Sequence, residues 1–158
     1  MSREAAAWAA LDQVPDPEIP VLSLRDLGIV RGVRTSEQGL EVLLTPTYSG
    51  CPATEVIADS VRAALEQAGL GPVTVTQQLS PPWTTDWITP EGRRKLLAYG
   101  IAPPGAVSDV VRLRPRGIEC PRCGSAHTER LSAFGATACK ALHRCLDCRE
   151  PFEHFKPL

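Results

Sequence analysis

The sequence contains no run of about 18 consecutive apolar residues, so it offers no candidate for a membrane-crossing helix. Its first residues place Arg3, Glu4 and Asp12 around a short alanine patch, which is not the charged, apolar and small-residue succession of a secretory signal. The chain is therefore expected in the cytoplasm. No histidine precedes His127, which weighs against a cysteine nucleophile paired with an imidazole base before that point. No Glu-x-x-His pair occurs, the helical spacing with which bundles hold two irons, so oxygen activation by this chain is not expected. Net charge is −1, but residues 1–110 hold eight Lys/Arg and thirteen Asp/Glu, against nine and five in 111–158. The basic tail admits an acidic partner; without dense interleaving of basic and aromatic residues it does not read as a nucleic-acid surface.

What is present fits one ordinary domain and a small annex in 158 residues, long enough to bury a real core in the larger part. Ser2 caps a first helix carrying Ala5, Trp8, Ala9 and Leu11, and Pro15 and Pro17 end it. Asp16-Pro17-Glu18-Ile19-Pro20 is expected to be extended, because a residue before proline is pushed away from helical angles. Ile29–Arg34 and Leu40–Thr45 read as strands joined by a turn over Thr35–Gly39. Apolar residues at 57, 61, 64, 65 and 68 predict a helix closed by Gly69, and Val73–Leu79 a third strand. Trp83 and Trp87 lie in a proline-broken loop, as lids on the core or as an exposed docking surface. Thr89-Pro90-Glu91 starts a short helix closed by Gly100.

The expected fold class is α+β: a small two-layer domain with a three-stranded mixed sheet and two to three helices, followed by a small β zinc ribbon. The division falls into residues 1–100, a linker over 101–116 with room for a short strand at Val110–Leu113, and a four-cysteine module over 117–158.

One stretch organises the larger domain. Thr45-Pro46-Thr47-Tyr48-Ser49-Gly50-Cys51-Pro52-Ala53-Thr54 stands where strand alternation stops and helical spacing begins. Pro52 suits the first helical position, which makes Cys51 the expected N-cap. There a thiol faces free backbone N–H groups and the positive end of the helix dipole, which favour thiolate over the ordinary pKa of about 8.5. Thiolate is the form that binds metal or attacks carbon. The competing reading makes Cys51 a small buried apolar residue.

Six cysteines without an export signal point to metal or thiol chemistry rather than disulfides. Cys120-Pro121-Arg122-Cys123 and Cys145-Leu146-Asp147-Cys148 are two knuckles whose four thiolates complete a tetrahedral shell, the usual closed site of structural zinc. A module this small needs the metal to fold, and zinc contributes on the order of 10 to 16 kcal/mol in such modules. An iron-sulfur cluster also accepts four cysteines. Cys139 is a spare ligand or a structural thiol. His127, His143 and His154 are expected at the surface or in packing, and Phe152 and Phe155 in the core of the ribbon.

Residues 1–100, through Asp16-Pro17-Glu18-Ile19-Pro20, Asp26-Leu27-Gly28-Ile29-Val30 and Thr45 to Thr54, resemble the iron-sulfur assembly domain of cluster-targeting factors. Trp83-Thr84-Thr85-Asp86-Trp87-Ile88, Gly100-Ile101-Ala102-Pro103-Pro104 and Thr137-Ala138-Cys139-Lys140-Ala141-Leu142 narrow the resemblance to the D (J) subunit family of the bacterial phenylacetyl-CoA ring 1,2-epoxidases. The chain departs from that family's pattern at its end, where Pro157 stands in place of a cysteine. The resemblance implies a non-catalytic accessory subunit of phenylacetate degradation that matures or delivers an iron or iron-sulfur centre to the oxygenase or its reductase. It implies a transient cargo site at Cys51, Glu18, Asp26, Thr47 and Thr54. One thiolate with two carboxylates is too few soft ligands for a permanent cluster in one chain, which suits transient holding or sharing across a homodimer. Two other readings compete: a zinc-ribbon module that binds protein without metal chemistry at Cys51, and a thiol enzyme in which Cys51 attacks an acyl carbon.

Overall fold

The structure, a computed structural model, describes residues 1–48, 52–107 and 117–158. The expected strand at Val110–Leu113 and the candidate thiol Cys51 lie outside the described residues. The chain forms two compact units, Met1–Gly92 and Arg93–Leu158.

The first unit opens with α1 (Arg3–Leu11), capped by Ser2, whose Oγ accepts from the Ala5 N–H at 3.1 Å. Strands β1 (Val30–Ser36) and β2 (Gly39–Leu44) pair antiparallel, and β3 (Val73–Gln77) adds to β2 in parallel, so the sheet is three-stranded and mixed. Between them runs α2 (Ala53–Gln67), which buries Ile57, Ala58, Val61 and Leu65 and packs against β3 and α1. Its apolar stripe recurs at helical spacing, and fully burying Val61 and Leu65 contributes roughly 2 kcal/mol each. The helix ends in a Schellman turn: Leu70 N–H donates to Leu65 O and Gly69 N–H to Glu66 O, both at 2.9 Å, with Gly69 at φ +74°. Leu40, Val42 and Leu44 of β2 are fully buried and complete the two-layer core.

The segment Asp16–Pro20 is not extended. Asp16 Oδ1 accepts from the Glu18 and Ile19 N–H groups at 2.9 and 2.8 Å, an Asx turn that reverses the chain and sets Asp16 N–H on Leu22 O at 2.8 Å. The Asp16 carboxylate captures the amides that follow, which folds the segment back.

Trp83 is 5% exposed and its Nε1–H donates to Leu27 O at 2.8 Å, so it is a lid on the core. Trp87, in a 3-10 turn over Thr85–Trp87, lies under the Arg31 guanidinium, 3.6 Å from ring centre to Cζ. Gly28 sits at φ +73°, and a β-carbon there would come within 2.8 Å of Trp87 Cβ, so glycine is required on both counts.

Helix α3 (Pro90–Ala98) is capped by Thr89, whose Oγ1 accepts from the Gly92 N–H at 3.0 Å. In the second unit, β4 (Ile101–Ala102), β5 (Thr128–Ser132), β6 (Lys140–Cys145) and β7 (Pro151–Phe155) form a sheet in the order β4-β7-β6-β5. Ile101 and Ala102, expected as connector, instead pair in parallel with Glu153 and His154. Phe152 and Phe155 are 4% and 1% exposed, as expected of ribbon core residues.

Candidate metal centre

The two knuckles of the second unit are built by the same local rule. Cys120 N–H donates to Ser125 O at 2.8 Å, and Cys145 N–H to Glu150 O at 3.0 Å, so each knuckle closes as a tight loop. The four sulfurs lie within 4.8 Å of one another, with Cys120 Sγ 3.7 Å from Cys148 Sγ and Cys123 Sγ 3.6 Å from Cys145 Sγ. Four thiolates at about 2.3 Å from one tetrahedral ion stand about 3.8 Å apart, so the donor set fits a single ion. A four-iron cluster, with each cysteine on a different iron, would spread them wider.

The thiols cannot ionise independently at this range. The Cys145 thiol is lowered to about 7, first by the Cys148 backbone N–H, 3.5 Å from its sulfur. The Cys148 thiol receives the Glu150 N–H, which favours its anion, yet burial and proton sharing with Cys145, Cys120 and Cys123 push it up to about 12. One proton leaves readily and the last is retained, and a divalent cation is what allows all four to leave.

Around the sulfurs, Cys120 and Cys145 pack with Ala102, Phe152 and Ile118. Asp147 ties the knuckles together: it accepts from the Ser125 hydroxyl and lies 3.3 Å from His127 Nδ1, contacts that hold its carboxyl below the ordinary value. Cys139 is buried outside the four-sulfur group, with Thr137 Oγ1 3.0 Å from its sulfur. No histidine joins the group: His127 is exposed, while His143 and His154 are buried and meet edge to face at 5.4 Å.

In the first unit, the residues expected around Cys51 are placed as follows. Asp26 is 7% exposed; its Oδ2 accepts from Ser23 N–H at 3.0 Å while Ser23 Oγ accepts from Asp26 N–H at 3.0 Å, a reciprocal cap. Thr89 Oγ1 lies 3.4 Å from Asp26 Oδ1. Ser23 was missed in the sequence, although Ser23-Leu24-Arg25-Asp26 carries the cap spacing. Glu18 is half-buried in the Asx turn. Thr47 is half-buried and, with Thr45, Tyr48, Leu79 and Trp83 among others, lines a cavity of about 190 Å³. Thr45 Oγ1 is buried there without a hydrogen-bond partner among the described residues. Thr54 is half-buried in the first turn of α2, directly after Pro52 and Ala53, and Pro52 already has helical angles (φ −64°, ψ −21°). Among the described residues, Glu18 and Asp26 join no group of three or more potential ligands; the four cysteines of the ribbon are such a group.

No helix among the described residues is long and apolar enough to cross a membrane. Residues 4–76 match the iron-sulfur cluster assembly protein family, and residues 105–156 match the PaaD zinc beta ribbon domain. The chain is 54% identical over 149 residues to the putative D subunit of the 1,2-phenylacetyl-CoA epoxidase of Escherichia coli K12, covering 94% of this chain and 90% of that one. It is 42% identical over 96 residues to the Fe-S protein maturation auxiliary factor YitW of Bacillus subtilis, covering 58% of this chain and 88% of that one. The fold is similar to a crystal structure of a domain of unknown function, DUF59, from Bacillus anthracis, with TM-score 0.56 and 26% identity over 60% of this chain and 91% of that one. Likeness over 94% of this chain and 90% of that relative, in a chain that carries both the assembly domain and the ribbon, settles the family: the chain belongs to the D subunits of the phenylacetyl-CoA epoxidases.

Proposed function

We propose that this protein is a non-catalytic accessory subunit of a phenylacetyl-CoA epoxidase system that matures or delivers an iron or iron-sulfur centre to the oxygenase or its reductase. One observation carries the reading: a single chain joins an iron-sulfur assembly domain to a four-cysteine ribbon, in a family whose Escherichia coli member is named as an epoxidase subunit. The iron-sulfur cluster assembly family model covers residues 4–76, inside the first unit, and the relative in Bacillus subtilis, matched over 58% of this chain, is named as an Fe-S protein maturation auxiliary factor. That supports placing the cargo in the first unit.

Cys51 is the residue that takes the cargo in this reading. It precedes Pro52, whose angles are those of a first helical residue, and the start of α2 offers free N–H groups that favour thiolate. Thr47 and Thr54 flank it in sequence and contribute hydroxyls, and Glu18 supplies a carboxylate on a half-buried turn. Asp26 contributes by holding the Ser23–Asp26 turn in shape, since its carboxylate is engaged by Ser23 and Thr89. A single soft ligand holds iron weakly, which suits a carrier.

In the ribbon, Cys120, Cys123, Cys145 and Cys148 hold zinc, supported by sulfur spacings that fit one tetrahedral ion. The ion supplies a cross-link between the knuckles and no chemistry on the cargo. The ribbon is then the part that meets the partner protein.

The test is complementation of a strain lacking this gene. Cys51→Ala is expected to give folded protein with full metal in the ribbon but an iron-poor epoxidase with less than a tenth of wild-type activity. Full activity would reject the carrier mechanism and leave the ribbon as a docking module alone.

A further inference from the structure

The two knuckles differ at one backbone position that the metal does not explain. In each, the residue after the second cysteine turns left-handed so that the next amide reaches the thiol: Ser125 N–H onto Cys123, Glu150 N–H onto Cys148. Gly124 does this at φ +76° and Arg149 at φ +65°. Arg149 is the non-glycine residue with positive φ among the described residues. Glycine adopts that conformation without penalty and a residue with a β-carbon does not. Outliers of this kind concentrate where a side chain is needed for function.

The side chain has a definite setting. With Arg144, Cys145 and Leu146, Arg149 lines a concave site of about 390 Å³. Arg144 is partly neutralised by Glu129. Asp147, on the same turn, is committed to Ser125 and His127. Arg149 is exposed and has no hydrogen bond or ion pair among the described residues. A free guanidinium beside a second one, over the apolar Leu146, matches a planar carboxylate, which two parallel N–H groups can grip.

We propose that Arg149, with Arg144 beside it, is the docking point for a carboxylate side chain in an acidic segment of the partner protein. The proposal rests on the reading of the ribbon as the part that meets the partner, and not on cargo at Cys51. A nucleic-acid backbone fits the site less well. No aromatic residue lines the site for a base to stack on.

The experiment titrates the full, metal-loaded, ¹⁵N-labelled chain with a Glu-Glu-Glu tripeptide blocked at both ends. Saturable shifts are expected at the Arg149 and Arg144 side chains. Arg149→Gly is expected to weaken the peptide at least tenfold while the ribbon melts at or above the wild-type temperature, which separates docking from folding. Arg122→Ala, on the other knuckle, is expected to change affinity less than twofold. The proposal is overturned if Arg149→Gly binds as wild type, or if Arg122→Ala loses as much, which would mean diffuse charge. It also fails if a single-stranded oligonucleotide of equal charge displaces the peptide. Complementation by Cys51→Ala reports on the cargo alone, so the two readings fail separately.

Discussion

A carboxylate that accepts hydrogen bonds from its own chain is costly to remove, and Asp26 is such a group. Truncation to alanine leaves the Ser23 N–H, in a residue 7% exposed, without the acceptor that lies 3.0 Å away. A buried donor left unpaired costs about 1–3 kcal/mol. Asp26→Ala is therefore expected to lower the unfolding free energy of the first unit by about 1–3 kcal/mol, measured in urea with the helical circular dichroism signal. Unchanged stability with a loss confined to iron delivery would reassign Asp26 to the cargo. The same scale explains the melting behaviour expected of Arg149→Gly: relief of left-handed strain contributes about 1 kcal/mol, against which the freer unfolded chain of a glycine variant works. Residue type alone did not separate these roles. The family resemblance alone made Asp26 a candidate cargo residue, while its hydrogen bond from Ser23 and its contact with Thr89 give it a capping role that residue type does not reveal.

At the scale of elements, what the sequence disclosed depended on how local the cause was. Helix α2 was legible because its buried positions repeat within one segment, and β2 because Leu40, Val42 and Leu44 alternate. The four-cysteine site was legible because knuckle spacing is a property of a few neighbours. Strand β4 was not: two residues have no period, and their pairing with β7 is made by a distant segment. Nor was the burial of His143 and His154, which follows from how β6 and β7 pair. That burial has a pH signature. His154 is lowered to about 4, by burial first and then by the nearby His143, and its Nε2 has no partner among the described residues. The unfolded chain takes up the proton near the ordinary value of about 6.5, the folded one only near 4. Stability from this residue is thus complete above pH 6.5 and drains as pH falls toward 4. His154→Leu is expected to remove about 2 kcal/mol of the acid-dependent loss, after allowance for solvent screening, in melts compared at about pH 7.5 and 4.5. Identical pH profiles for variant and wild type would mean that the ring takes up its proton at the same pH in the folded and the unfolded chain.

For the whole molecule, charge and core divide along the same line. Residues 1–92 carry five Lys/Arg and twelve Asp/Glu, whereas residues 93–158 carry twelve and six. The first unit has a core of fully buried aliphatic side chains, including Leu11, Leu22, Leu24, Val42, Val61 and Leu65. Around the knuckles of the second, the buried cluster is Ala102, Cys120, Cys145 and Phe152, half of it the metal ligands themselves. Without a cation those sulfurs hold protons instead, at least one of them up to a pH of about 12, and among the described residues the two knuckles are then tied by Asp147 with its exposed partners, the small buried cluster and the Leu146 N–H on His127 O. All four metal ligands lie in the second unit, which is therefore the unit the metal stabilises directly. Chelation is expected to release one metal ion per chain and collapse the ribbon resonances, while the helical signal and urea midpoint of the first unit move by less than about 0.5 kcal/mol. Cys145→Ser should reproduce that pattern without chelator, because it removes the thiol most ready to ionise. A single cooperative transition that shifts as a whole on metal removal would show that the two units fold as one, and that the assembly domain depends on the ribbon for its own stability.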